Sequence, residues 1–120
     1  MSDRISVLVV EDEAMILLDI ATQHEADGFK VYEASNADDA IRLLTEHSDL
    51  PLVFTDIDMP GSMDGLKLAA AVRHRWPPIK IIVTSGARMV EITDMPNGSV
   101  FFSKPYGHAA VVKSMREMLG

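Results

Sequence analysis

Four short runs of apolar and β-branched residues constrain this chain more than any other feature. They are Ile5–Val10, Leu52–Thr55, Ile79–Thr84 and Val100–Ser103, and they lead into Asp12, Asp56, Ser85 and Lys104 respectively. Runs of this length, nearly continuous in apolar character and separated by helix-like stretches, read as strands of a parallel sheet buried on both faces. In an open parallel sheet, ligands sit outside the carboxyl ends of the strands. Two acidic groups, a hydroxyl and an ammonium are thereby gathered at one edge. That set suits a divalent cation and a phosphoryl group.

The stretches between the runs are helical in character. Glu13 to Ala26 carries Met15, Leu18 and Thr22, with Ile16, Leu17 and Ile20 beside them, as a broad apolar face, and Gly28 stops it. Phe29 to Ala34 supplies a further strand. Asn36 is placed to cap a helix running to about His47, with Ala40, Ile41, Leu43 and Leu44 facing inward. The turn formers of Ile57 to Gly65 make a loop after Asp56, and a helix follows from about Leu66 to Trp76 until Pro77-Pro78 ends it. A last helix spans about Gly107 to Leu119, presenting Val111, Val112, Met115, Met118 and Leu119. Between the last two strands, Pro96 and Gly98 leave room only for a short or irregular fourth helix near Met89 to Thr93.

Alternating strand and helix imply right-handed crossovers and an α/β sandwich. The expected architecture is a flavodoxin-like, doubly wound, five-stranded parallel sheet in the order 2-1-3-4-5, as one domain over residues 1–120. The switch point of that order falls between the first and third strands, where Asp12 and Asp56 meet.

The charge balance narrows the partners. A formal net charge of −7 and the lack of any basic run argue against nucleic acid and anionic membrane. No apolar run approaches the roughly 20 residues that cross a bilayer. The chain has 0 cysteines, so disulfides and thiol chemistry are excluded, which fits a cytoplasmic setting.

Clustered carboxylates repel: two unit charges ~4 to 5 Å apart cost roughly 4 kcal/mol at an effective dielectric of 20. A site built from Glu11, Asp12 and Asp56 therefore calls for a cation, and Mg²⁺ suits hard oxygen ligands beside a substrate phosphate. Lys104 would neutralise further charge on a transferring phosphoryl group, and a carboxylate can act as the nucleophile. Asp56 is the candidate, because a loop and not a helix follows it. Taken singly, each residue has a plainer explanation: Glu11 and Asp12 as a helix cap, Asp56 as a turn residue, Lys104-Pro105 as a strand-end turn. Four strand ends carrying compatible chemistry by accident is the poorer account. His24, His47, His74 and His108 share no metal-ligand spacing and read as surface residues, the methionines as core filler, and Trp76 as a packing cap. No glycine-rich loop for a nucleotide is present.

With these residues in place, the chain resembles the receiver domain of bacterial two-component response regulators over essentially its whole length. Val9-Val10-Glu11-Asp12-Glu13 is similar to the family's first-strand acidic pair. Phe54 to Pro60 followed by Met63-Asp64-Gly65 resembles its phosphoacceptor strand and loop, Val83-Thr84-Ser85-Gly86 its switch-hydroxyl segment, and Phe101 to Tyr106 its lysine-proline turn. The resemblance implies that Asp56 accepts a phosphoryl group from a sensor histidine kinase or phosphotransfer protein. It implies that Asp12, Asp56 and the Asp58 backbone carbonyl hold Mg²⁺, with Glu11 acting through water. It further implies that Lys104 pairs with Asp56 and the phosphoryl group, and that the peptide before Pro105 is cis. Ser85 is the switch hydroxyl, since alternation points Thr84 the other way. Phe101 takes the switch-aromatic position, without the hydroxyl of the tyrosine often found there. The loop at Gly61-Ser62 is one residue longer than the common form. The shortened 87-to-99 region departs from the family's usual output face. The expected action is that of a single-domain regulator, or of an excised module, on a downstream protein partner. The narrower likeness is to stand-alone receivers of alphaproteobacteria.

Two other readings compete. A pseudo-receiver would bind partners without taking phosphate, though every charged group is present. A phosphatase of the haloacid dehalogenase type also pairs an aspartate with an acid two residues on, as Asp56 and Asp58 do. It places that pair after its first strand. The favoured reading is a signalling switch and not an enzyme.

Overall fold

A computed structural model describes residues 4–58, 65–86 and 98–120. Five strands, β1 (Ile5–Val10), β2 (Phe29–Ala34), β3 (Leu52–Asp56), β4 (Lys80–Ser85) and β5 (Ser99–Ser103), form one sheet in the order β2-β1-β3-β4-β5. All neighbouring pairs are parallel. Four helices are described: α1 (Ala14–Ala26), α2 (Ala37–Glu46), α3 (Gly65–Arg75) and α4 (His108–Leu119). The flavodoxin-like order expected from the sequence is the observed one. The expected helix near Met89 to Thr93 and the Gly61-Ser62 loop lie outside the described residues.

The core divides by strand alternation, because successive side chains leave a strand on opposite faces. Leu8, Val10, Val53, Ile81 and Val83 pack with Ala40 and Leu44 of α2 and with Leu68, Ala69 and Val72 of α3. Val7, Val9, Leu52, Phe54 and Ile82 pack on the other face with Leu17 and Ile20 of α1 and with Val111, Val112 and Met115 of α4. Both faces of the central strands are thus covered, which is why those strands read as unbroken apolar runs.

Local signals behave as their chemistry requires. The Asn36 side chain accepts from the Asp39 N–H at 2.7 Å and caps α2. Gly28 follows α1 with φ 94°, a backbone state that costs glycine least. Trp76 is partly buried against the core face that holds α2 and α3, as a packing cap should be.

Three expectations fail. The buried face of α1 is Leu17, Ile20, Ala21 and His24, whereas Met15, Ile16 and Leu18 are 80%, 37% and 59% exposed and Thr22 is exposed too. α1 carries apolar residues around most of its first turns, so periodicity alone does not say which stripe meets the sheet. Met15 is accordingly no core filler. His24, read as a surface residue, is 1% exposed. It lies edge-on to Phe54 at 5.5 Å and is stacked on His108 at 5.3 Å between ring centroids.

Candidate functional site

The register of the parallel strands sets the site. Asp56 is the last residue of β3 and pairs in register with Thr84, one before the end of β4. Ser85 pairs with Ser103, so Lys104 leaves β5 beside the end of β4, and its N–H donates to the Ser85 carbonyl at 2.9 Å. Glu11 follows β1, with its N–H on the Ala34 carbonyl at 3.0 Å. Four strands therefore deliver their terminal groups to the same edge.

Glu11, Asp12 and Asp56 each present a carboxylate oxygen, and the three lie within 4.8 Å of one another. Glu11 and Asp56 are buried and Asp12 is exposed, so the cluster opens to solvent on one side. Lys104 Nζ reaches Asp56 Oδ2 at 3.2 Å and Glu11 Oε1 at 3.8 Å. The Asp58 N–H donates to Asp56 Oδ1 at 3.0 Å. The Glu13 N–H donates to Glu11 Oε2 at 3.1 Å.

The electrostatics show how crowded the acids are. Burial pushes the Glu11 carboxyl up to about 7; the Glu13 N–H and Lys104 oppose the rise, and Asp56 and Asp12 add to it. Burial works against the Lys104 ammonium, but Asp56, then Glu11 and Asp58, outweigh it and hold the amine above its ordinary value. Tyr106, packed against Phe54 and Phe102, is pushed up to about 12 by burial and by Glu11, Asp56 and Asp19, so its phenol stays protonated.

Every residue picked out from the sequence as a site residue lies within the described structure. Glu11, Asp12, Asp56 and Lys104 are in one constellation. Ser85 ends the adjacent strand, 1% exposed, and its hydroxyl donates to both Asp58 oxygens, at 3.1 and 2.9 Å. Phe101 is half-buried on β5 against the core face that holds α2 and α3. The Lys104-Pro105 peptide is cis.

Three contributions were not read from the sequence. Gly65 opens α3 directly against β3: a Cβ there would lie 2.1 Å from the Asp56 carbonyl oxygen and 2.4 Å from Ile57 Cα. The Met63-Asp64-Gly65 motif marked the position without giving that reason. Gly86 lies against the Lys104 stem, where a Cβ would meet Lys104 Cβ at 3.2 Å. The Asp58 side chain, as opposed to its carbonyl, turns out to bridge β3 and β4.

The response regulator receiver domain family model matches residues 7–116. Among curated relatives, the chain is 31% identical to a putative NtrX-like response regulator of Rickettsia bellii, covering 90% of this chain and 23% of that one. It is 29% identical to the sensor kinase CckA of Brucella abortus, covering 99% of this chain and 13% of that one. The chain thus spans a quarter or less of the length of these relatives. A solved response regulator receiver protein from Sinorhizobium medicae superposes with a TM-score of 0.90 at 27% identity, covering 98% of this chain and 95% of that one.

Proposed function

The chain belongs to the response regulator receiver domain family of two-component signalling, and from that premise we propose that it is a phosphoacceptor switch whose acceptor is Asp56. The observation that carries the proposal is the setting of Asp56. Its Oδ2 faces the Lys104 ammonium at 3.2 Å, and its carboxylate shares a site with Glu11 and Asp12.

The donor set fits Mg²⁺: three hard carboxylate oxygens converge, and among the described residues no imidazole joins them. Asp12 and Asp56, with the Asp58 carbonyl, would hold the ion, and Glu11 would act through water. When bound, Mg²⁺ supplies positive charge that offsets the carboxylates and the incoming phosphoryl oxygens. The remaining work falls to the chain. Asp56 attacks the phosphorus of a phosphohistidine, the P–N bond breaks as the P–O bond forms, and the histidine nitrogen leaves with its electron pair. Lys104 moves from pairing with the carboxylate to pairing with the phosphoryl oxygens. The acyl phosphate exchanges the single negative charge of the Asp56 carboxylate for the roughly 1.5 to 2 of a phosphoryl group, carried further out at the sheet edge. Ser85 and Phe101 would respond to that charge and alter affinity for a downstream protein.

The phosphoryl donor on this reading is a sensor histidine kinase or phosphotransfer protein in the cytoplasm, and residues 1–120 act as one receiver domain. Among the described residues, no helix is long and apolar enough to cross a membrane. Intact mass after incubation with Mg²⁺ and acetyl phosphate tests the assignment. One phosphoryl adduct on the wild type and none on Asp56→Asn is expected. Equal labelling of both would remove Asp56 as the acceptor. No adduct on either, together with no beryllofluoride binding, would favour the pseudo-receiver reading.

A further inference from the structure

Asp58 and Ser85 lie 27 residues apart in sequence and meet across the ends of β3 and β4. The Ser85 hydroxyl donates to Asp58 Oδ1 at 3.1 Å and to Oδ2 at 2.9 Å. The Gly86 N–H is a second donor to the same carboxylate, reaching Oδ2 at 3.0 Å. Asp58 is itself fixed over the site, because its own N–H donates to Asp56 Oδ1 at 3.0 Å. A serine hydroxyl has one proton to give. While that proton is directed at the Asp58 carboxylate, it is not available to an oxygen of a group carried on Asp56.

We infer that Asp58 is a positioning residue that latches the Ser85 hydroxyl in the unphosphorylated protein and sets how readily the switch is thrown. The inference rests on the phosphoacceptor reading of Asp56. Hydrogen bonds to an ionised acceptor are stronger than neutral ones, so the latch favours the resting arrangement. A phosphoryl group on Asp56 counters it in two ways. Its charge repels the Asp58 carboxylate two residues away, and its oxygens offer Ser85 a competing charged acceptor. Lys104, held by Asp56 and also stabilised by Asp58, is drawn toward the new group at the same time. The energy of the Ser85–Asp58 contact is therefore subtracted from the affinity of the site for a phosphoryl group or its mimic.

The test uses the whole chain, as wild type, Asp58→Ala, Asp58→Asn, Ser85→Ala and the double variant Asp58→Ala/Ser85→Ala. Side-chain NMR couplings report the Ser85 rotamer and the Gly86 amide shift without ligand, and a titration with beryllofluoride in Mg²⁺ reports affinity. Asp58→Ala should average the Ser85 rotamers, move the Gly86 amide and raise beryllofluoride affinity roughly ten-fold or more. Asp58→Asn keeps the shape and an acceptor oxygen, so it should show a smaller gain. In the Ser85→Ala background, removing Asp58 should gain less than about three-fold, because the partner it held is gone. An equal gain in both backgrounds, or an unchanged Ser85 rotamer in Asp58→Ala, would overturn the latch. Absence of any wild-type beryllofluoride adduct would overturn the phosphoacceptor reading and the switching role with it. That failure is distinguishable, because the ligand-free spectra still report whether Asp58 holds Ser85.

Discussion

Lys104 is the only cation shown in contact with both Glu11 and Asp56 among the described residues, and at 31% exposed it is partly screened by water. Replacing it with methionine keeps the stem and removes the charge. Lys104→Met should therefore lower stability in metal-free buffer by about 1 kcal/mol, a value discounted for exposure. Saturating Mg²⁺ should restore most of that loss, since the ion would offset charge on the same carboxylate cluster. Urea unfolding with and without Mg²⁺ checks both statements, and a loss unaffected by Mg²⁺ would count against a shared site. Gly65 is constrained by space. A methyl group 2.1 Å from the Asp56 carbonyl cannot be accommodated without moving α3 or the end of β3. Gly65→Ala should cost on the order of 2 kcal/mol and slow labelling by acetyl phosphate, read by denaturant midpoint and intact mass. A variant as stable and as rapidly labelled as the wild type would show that the helix start yields freely.

The clearest consequence at the scale of elements lies between α1 and α4. His24 is buried beneath α4, and neither ring nitrogen has a hydrogen-bond partner among the described residues. Burial, and then His108, lower its pKa to about 4 against the opposing effect of Asp27. His108 Nε2 meets Asp27 Oδ2 at 2.5 Å, and Arg116 donates to the Asp27 carbonyl at 2.7 Å, so α4 is tied to the end of α1 around this ring. The unfolded chain takes up the His24 proton near pH 6.5, and the folded chain near pH 4. The stability this residue contributes is thus present above pH 6.5 and is lost as the pH falls toward 4, by an amount on the order of 3 kcal/mol. Glu11 acts with the opposite sign. Its folded value of about 7 lies above its ordinary 4.5, so its contribution is present below pH 4.5 and lost as the pH rises through 7. The raw pH profile therefore mixes the two. The informative quantity is the difference between wild type and His24→Leu: near zero or favouring leucine at pH 7, and increasingly favouring leucine down to pH 4. A pH-independent difference would mean that the ring is solvated in solution.

At the scale of the molecule, the balance of charge favours a cation at the site. The chain carries a net charge of −7, and three of its acids converge on one edge. Mg²⁺ binding only the folded state should stabilise it by RT ln(1 + [Mg²⁺]/Kd), about 1.4 kcal/mol at ten times Kd. The rise in Tm should saturate, reverse with EDTA and disappear in Asp12→Ala. Persistence of the full rise in that variant would place the ion elsewhere.

Much of this was legible from the chain, for definite reasons. Strand runs closed by Asp12, Asp56, Ser85 and Lys104 were readable because burial on both faces forces continuous apolar sequence. Alternation and handedness pointed to a doubly wound sandwich, and the flavodoxin-like order was the one that set Asp12 beside Asp56. The helix caps were readable because Asn36 and Gly28 act on their own neighbours. What the sequence left open depended on contacts between distant segments. The turns of α1 carry more apolar residues than one face can bury, and only docking against β1 and α4 selected Leu17, Ile20, Ala21 and His24 over Met15 and Leu18. His24 looked like a surface residue because a lone histidine on a helix carries no sign of what will cover it. The Asp58 carboxylate was assigned only through its backbone, since its meeting with Ser85 exists once β3 and β4 lie side by side. Local periodicity and turn chemistry therefore determined the elements and which residues close the strands at this edge, because those signals act within a few residues. Which face is buried, which proton goes to which carboxylate and where a methyl group cannot fit were decided by the tertiary structure, because those depend on packing and charge between strands remote in sequence.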